Sequence, residues 1–340
     1  MSTPTTFHLL RPEDLPRQRG EFLADEPTRV ALEPLIELLI RAPDEQVLEA
    51  AHHALGRLGL DPYKLARVED DPSESFESHA NDQSFRIVRV HGQGPRVAAH
   101  STLTSLVLLL EDARQGGTEL DPERWSRLRH AFATILGVLA GAAEGSPPAA
   151  SIALGAPAGT GERDALQRWM RGHYAFMAIV QGLVMVLHAF EEAFAADDPV
   201  ASRRALAGAT SIMWGTESAL RFAGDFVYAD YEKAVRPTLM PPIAPPGMTG
   251  LHWRDHRYMV SQLARMRGQF SHLAPALRRD LNELHRATAA AYESHKYVCA
   301  SFVGNERPSL LMSSRSEKTA IETLDHFKTV RLGLLDRSRQ

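Results

Sequence analysis

The sequence predicts an all-α fold. Apolar residues recur at helical spacing through most of the chain, proline-rich breaks separate these runs, and only SFRIVRV (Ser84–Val90) shows even partial alternation. A chain of 340 residues can bury a large core. The expectation is one helical domain over residues 1–340, with an irregular N-terminal arm and a flexible loop near 145–161.

Taken in order, the first thirty residues mix prolines with polar residues and predict the irregular arm. Val30–Arg41 and Asp44–Leu58 have helical spacing, with Pro43 at the break. Residues 61–94 turn to Asp, Ser, Pro and Asn, with SFRIVRV as a short extended segment. HGQGPRVAAHSTLTSL then leads through a Gly-rich turn into the apolar run Leu103–Leu110. LDPERW opens a helix over Asp121–Ala142, because Asp121 is placed to cap it and Pro122 is tolerated in a first turn. GSPPAASIALGAPAGTG (Gly145–Gly161) is longer than an ordinary connector. It lacks the Gly-Lys-Ser/Thr ending of a phosphate-cradling loop.

Glu162–Ala196 is strongly helical. Its His173 and His188 would lie roughly 22 Å apart along a straight helix, too far to share one metal centre. Pro199–Arg236 forms a further helical region, in which Glu217 and Arg221, four apart, first suggest a surface pair. Four prolines in Met240–Gly250 interrupt regular structure. Helical patterns follow at Ser261–Phe270 and Pro275–Tyr297, with a turn near 271–275, and the last is Ala320–Leu335.

Composition narrows the function. The formal charge is −4, from 38 basic and 42 acidic residues that are dispersed without aromatic interleaving, which gives no case for nucleic acid. The start lacks a secretory pattern, and the apolar runs at Leu103–Leu110 and Ala175–Phe190 read as core helices, so no membrane is expected. A single cysteine excludes an intrachain disulfide framework and suits a reducing cytoplasm.

Chemistry concentrates between Leu251 and Gly304, which holds five of the fifteen histidines and the only cysteine. His295 and Cys299 stand four apart in AYESHKYVCASF, on one helical face at about 5–6 Å. A haem vinyl carbon is about 6 Å from the iron, so an imidazole on iron and a thiol at a vinyl are compatible with that spacing. The residues alone also leave open an inert buried thiol and a Cys–His nucleophile pair. A structural zinc site would want four ligands.

His256, 38 intervening residues and then His295-Lys296-Tyr297-Val298-Cys299 together resemble the signature of the haem-dependent 3-methyl-L-tyrosine hydroxylases, or peroxygenases, of saframycin- and safracin-type antibiotic biosynthesis. That family is similar in fold to the helical, histidine-ligated tryptophan 2,3-dioxygenase superfamily. The resemblance implies haem iron ligated by His256 and His295, with one thioether from Cys299 to a haem vinyl. His256 is implied as the ligand that leaves to admit oxidant.

The implied reaction is hydroxylation of 3-methyl-L-tyrosine to 3-hydroxy-5-methyl-L-tyrosine, with hydrogen peroxide or with dioxygen and a reductant such as ascorbate. An oxygenase of this kind needs a distal acid or base and a group for the substrate carboxylate. His91 and His100 are the candidates for the first and Arg96 for the second, while His252 is a candidate neighbour of the site. A homo-oligomer, a dimer first, is expected by analogy with the superfamily. Two other readings stay open: an enzyme acting on L-tyrosine or an indole amino acid, and a bis-histidine haem module for electron transfer or sensing.

Overall fold

The computed structural model describes residues 6–22, 25–69, 71–141, 155–159, 161–246, 249–303 and 319–336. Twelve α-helices occur among them: α1 Arg19–Phe22, α2 Glu26–Arg41, α3 Asp44–Leu58, α4 Phe76–Ser84, α5 Gly94–Gly116, α6 Pro122–Leu139, α7 Ala165–Ala195, α8 Pro199–Ala223, α9 Tyr228–Asp230, α10 Arg254–Ser271, α11 Arg278–Val303 and α12 Ala320–Leu335. The all-α expectation is met, with a minimal two-stranded parallel sheet beside the helices. In it β1 (Phe7–Leu9) pairs with β2 (Ile87–Arg89) in the register Phe7↔Ile87.

The arm expected to be irregular therefore contains β1, and Phe7 and Leu9 are fully buried. Phe7 stacks on Tyr174 of α7 at 4.6 Å between ring centroids. Helix α2 starts four residues before its apolar pattern, because Asp25 accepts a hydrogen bond from Thr28 N at 3.0 Å. Its C-terminal end is satisfied from outside. The buried Arg129 of α6 donates to the carbonyls of Leu38, Leu39 and Ala42 and pairs with Asp44 at 2.9 Å.

Helix α7 is the axis of the fold. Its most apolar 18-residue window is long and apolar enough to cross a membrane, yet 89% of that window is buried inside the protein. Helix α8 returns antiparallel along it, and glycines let it approach both α7 and α6 closely. A Cβ on Gly172 would sit 2.5 Å from Ala223 Cα, and one on Gly215 would sit 2.1 Å from Ala131 Cβ of α6. Any larger residue at either position has to push two helices apart.

The Gly145–Gly161 loop falls largely outside the described residues. Its end is docked on α5, where Pro157 O accepts from Thr118 N at 3.1 Å and Gly161 N donates to Gln115 O at 2.9 Å. The chain reverses between α10 and α11 through a short 3-10 turn at Pro275–Leu277, where the sequence predicts a turn. That reversal sets α10 and α11 beside the α7–α8 hairpin.

Candidate active site

Between these helices lies a cavity of about 250 Å³, counted as room for the centre of a water-sized sphere. A single water needs only about 10–15 Å³ on that measure. His256 of α10, His295 and Cys299 of α11, and His173 of α7 all line it, among walls that include Trp169, Phe176, Met213, Trp253 and Phe302. The structure thus brings together all three residues of the sequence signature.

His256 sits in the first turn of α10, and buried charge holds that turn in place. Asp255, its neighbour, is fully buried and accepts from Arg89 Nη1 and Nη2 at 3.1 and 2.5 Å and from Gln181 Nε2 at 2.8 Å. Arg89 also donates to Asp82 at 2.7 and 3.0 Å and to Leu10 O at 2.9 Å. Asp82 in turn accepts from Trp253 Nε1 at 3.0 Å. Strand β2, helix α4 and the start of α10 are therefore locked together directly behind a cavity histidine.

His295 has a comparable brace. Ser294 Oγ donates to Glu217 Oε1 at 2.7 Å and accepts from Arg221 Nε at 3.0 Å, while Arg124 Nε reaches Glu217 at 2.9 Å. The Arg221 guanidinium lies 3.6 Å from the centre of the Tyr297 ring. Glu217 is 2% exposed. The surface pair suggested by the spacing of Glu217 and Arg221 is instead a buried junction of α6, α8 and α11.

His173, His256, His295 and Cys299 each retain partial exposure, yet burial dominates their titration. Loss of solvation pulls all three histidines down to about 4 and pushes the Cys299 thiol up to about 11. The surface they expose faces the cavity, not bulk water. For His256 the nearby Arg331 charge adds to the depression, and the Leu251 backbone opposes it weakly at a geometry short of a hydrogen bond, since His256 Nδ1 is buried without a partner. At neutral pH the site holds neutral imidazoles with lone pairs to offer and a protonated thiol.

The sequence suggests His173 only as a metal partner of His188, which its spacing rejects, and assigns it no place in the site. Its Nδ1 lies 2.7 Å from Trp169 O, a contact that requires the hydrogen on Nδ1 and leaves Nε2 as an acceptor. Phe85, Trp169 and Trp253 pack around the ring at centroid distances of 4.5, 4.3 and 5.9 Å. A histidine one turn after a tryptophan on a helix rich in apolar residues was the available signal.

The other sequence candidates go elsewhere. His91 is exposed and does not line the cavity. His100 is partly buried on α5, where loss of solvation and the neighbouring His8 lower its pKa to about 4, and it too is absent from the lining. Both belong to the segment that enters α5, whose first turns pack toward β1 and the end of α3. Arg96 donates to Leu58 O at the end of α3, so it holds a helix end and not a ligand. His252 lies outside the lining although Leu251 and Trp253 contribute to it.

Among the described residues no three His, Cys, Asp or Glu side chains converge to hold a metal ion. The donors are instead two neutral imidazoles on successive helices and a thiol one turn beyond one of them, in an apolar enclosure with aromatic walls. That set fits the haem implied by the sequence signature: His256 and His295 would hold the iron, and Cys299 lies within a helical turn for a vinyl.

The family model described as SfmD 3-methyl-L-tyrosine peroxygenase matches residues 8–280, a span that includes His256 and ends before His295. A 3-methyl-L-tyrosine peroxygenase from Streptomyces lavendulae is 35% identical over 332 residues, covering 97% of this chain and 90% of the relative. The crystal structure of reduced SfmD, soaked with sodium hydrosulfite, superposes with a TM-score of 0.73 at 34% identity, covering 88% of this chain and 99% of that one. The donor geometry, the family match and a relative that extends through the His295–Cys299 turn agree: this chain belongs to the SfmD family of 3-methyl-L-tyrosine peroxygenases.

Proposed function

We propose that the protein binds haem between His256 and His295, carries it on a single thioether from Cys299, and hydroxylates 3-methyl-L-tyrosine ortho to its phenol. The observation that carries this reading is the convergence of His256, His295 and Cys299 on one enclosed apolar cavity. With peroxide the reaction balances as an aromatic C–H and H2O2 giving a phenolic C–OH and water. With dioxygen, two electrons and two protons from a reductant such as ascorbate give the same balance. Haem, when bound, supplies the oxygen activation, and the protein supplies ligation, orientation and polarity.

Cys299 would hold the haem through its thiol added to a vinyl group, an addition that forms one S–C bond, carries the thiol hydrogen to the other vinyl carbon and releases no atom. His295 would be the anchored iron ligand, because a thioether at Cys299 would fix the turn it stands on and Ser294 braces that turn from behind. His256 would be the ligand able to give way to oxidant. His173 Nε2 offers the substrate's phenol a neutral hydrogen-bond acceptor, and the apolar walls exclude competing water.

Intact-mass measurement under denaturing conditions tests the covalent claim. Wild type is expected to carry one haem mass and C299A none, while wild type converts 3-methyl-L-tyrosine to a product heavier by one oxygen. Fully loaded wild type without the adduct would refute the thioether. Adduct without turnover would leave a haem protein of another function.

A further inference from the structure

The charged lining of the cavity is one-sided. Two arginines, Arg236 and Arg331, reach it, and among the described residues no aspartate or glutamate does. Arg236 meets a carboxylate one turn back, Glu232, at 2.5 Å. Arg331 of α12 has no ion pair among the described residues, and its Nε is buried without a hydrogen-bond partner. Its described neighbours are neutral: the Tyr292 hydroxyl is close enough to feel its charge, and the Phe327 ring centre lies 5.0 Å from the guanidinium carbon.

The position of Arg331 is built into the fold. Helix α12 runs antiparallel to α11, and Lys296 pairs with Asp325 at 2.7 Å while Lys328 pairs with Glu293 at 2.5 Å. Tyr292 and Arg331 are the next step of the same register. These contacts bracket the turn that leads to His295, so α12 is clamped to the ligand-bearing helix with Arg331 facing the cavity near His256. A guanidinium held at an apolar cavity without a counter-charge is costly until an anion arrives. Its planar N–H fork is shaped for a carboxylate.

We infer that Arg331 is the carboxylate-binding residue of this cavity. The ligand carboxylate is a haem propionate or the α-carboxylate of the amino-acid substrate, and the inference rests on the proposed occupancy of the cavity by haem and substrate.

Two paired comparisons on R331Q, R331K and the parent separate these sources. In a C299A background, where binding is reversible, the rate of porphyrin loss to a scavenger is measured for protein loaded with haem and with haem dimethyl ester, whose propionates are masked. In holoprotein with Cys299 intact, the dissociation constants of 3-methyl-L-tyrosine and its decarboxylated amine are measured by absorbance titration.

The parent is expected to favour the carboxylate-bearing partner of one pair by about tenfold or more, R331Q to abolish that preference, and R331K to keep part of it. Loss in the first pair assigns the propionate, and loss in the second assigns the substrate. Unchanged preferences in both pairs, with haem retained, overturn the role of Arg331 alone. Failure of the parent to retain haem overturns the haem reading as well. Where R331Q does not fold, R331K carries the test: an undiminished preference in both pairs overturns the inference.

Discussion

Replacing Asp255 by asparagine probes the link between a buried network and the cavity. The side chain is fully buried and accepts three hydrogen bonds, two from Arg89 and one from Gln181. Asparagine keeps the volume, but it removes the charge and turns an NH2 group toward donors. Breaking one partner of a buried ion network costs about 3–5 kcal/mol. With roughly 2.1 cal/mol/K per residue, a chain of 340 residues has an unfolding entropy of about 0.7 kcal/mol/K, which converts that cost to a Tm lower by about 4–7 °C. Thermal melts of the two apoproteins followed by circular dichroism measure it. E37Q, which loses only the exposed pair with Arg41, serves as the control and should shift by less than about 1 °C. A D255N melt indistinguishable from wild type would show that the Arg89 network does not hold the start of α10, and the positioning of His256 would then need another cause.

Burial lowers the folded pKa of His100 to about 4 from its ordinary 6.5, so the unfolded chain takes the proton first. The stability contributed by neutral His100 is intact above pH 6.5 and falls as pH drops toward 4, amounting to roughly 2–3 kcal/mol at the lower limit. H100Q should flatten this part of the pH–stability profile while leaving turnover at pH 7 within about twofold of wild type. A large loss of turnover at unchanged haem content would return His100 to the catalytic site. H173F preserves the stacked ring but removes the Nε2 acceptor, so kcat/KM is expected to fall by about tenfold with haem content unchanged. Steady-state assays of 3-methyl-L-tyrosine hydroxylation decide it, and wild-type kinetics in H173F would exclude the hydrogen-bond-accepting role.

Local signals made much of the fold readable. Asp44–Leu58 and Ala320–Leu335 coincide with α3 and α12 because each has a defined stop or start: Gly59 takes the left-handed conformation after α3, and Thr319 with Glu322 forms a capping box before α12. The start of α10 was predicted seven residues late, since Arg254 and Asp255 are buried by ion pairing with residues far back in the chain and not by apolar periodicity. Strand β1 was missed for a related reason, its partner being eighty residues away in the register Phe7↔Ile87.

The site divides in the same way. The convergence of His256, His295 and Cys299 on one cavity was legible because their spacing carries the signature. His91 and His100 were placed by their proximity to a Gly-rich turn, which says nothing about which side of α5 meets the cavity. Glu217 and Arg221 look like a solvent pair until Arg124 and Ser294, distant in sequence, are folded against them.

Helix α7 has one more consequence, for synthesis in the cell. An 18-residue window of its 31 residues is apolar enough for a membrane span, and two of the helices that cover it, α8 and α10, follow it along the chain. When it first emerges from the ribosome, this apolar segment has only its N-terminal neighbours for shelter. Chaperone occupancy at that stage, and diversion of ribosomes to the insertion machinery, would govern yield more than the stability of the finished protein. Expression hosts rich in trigger-type holdases should therefore raise recovery without changing Tm.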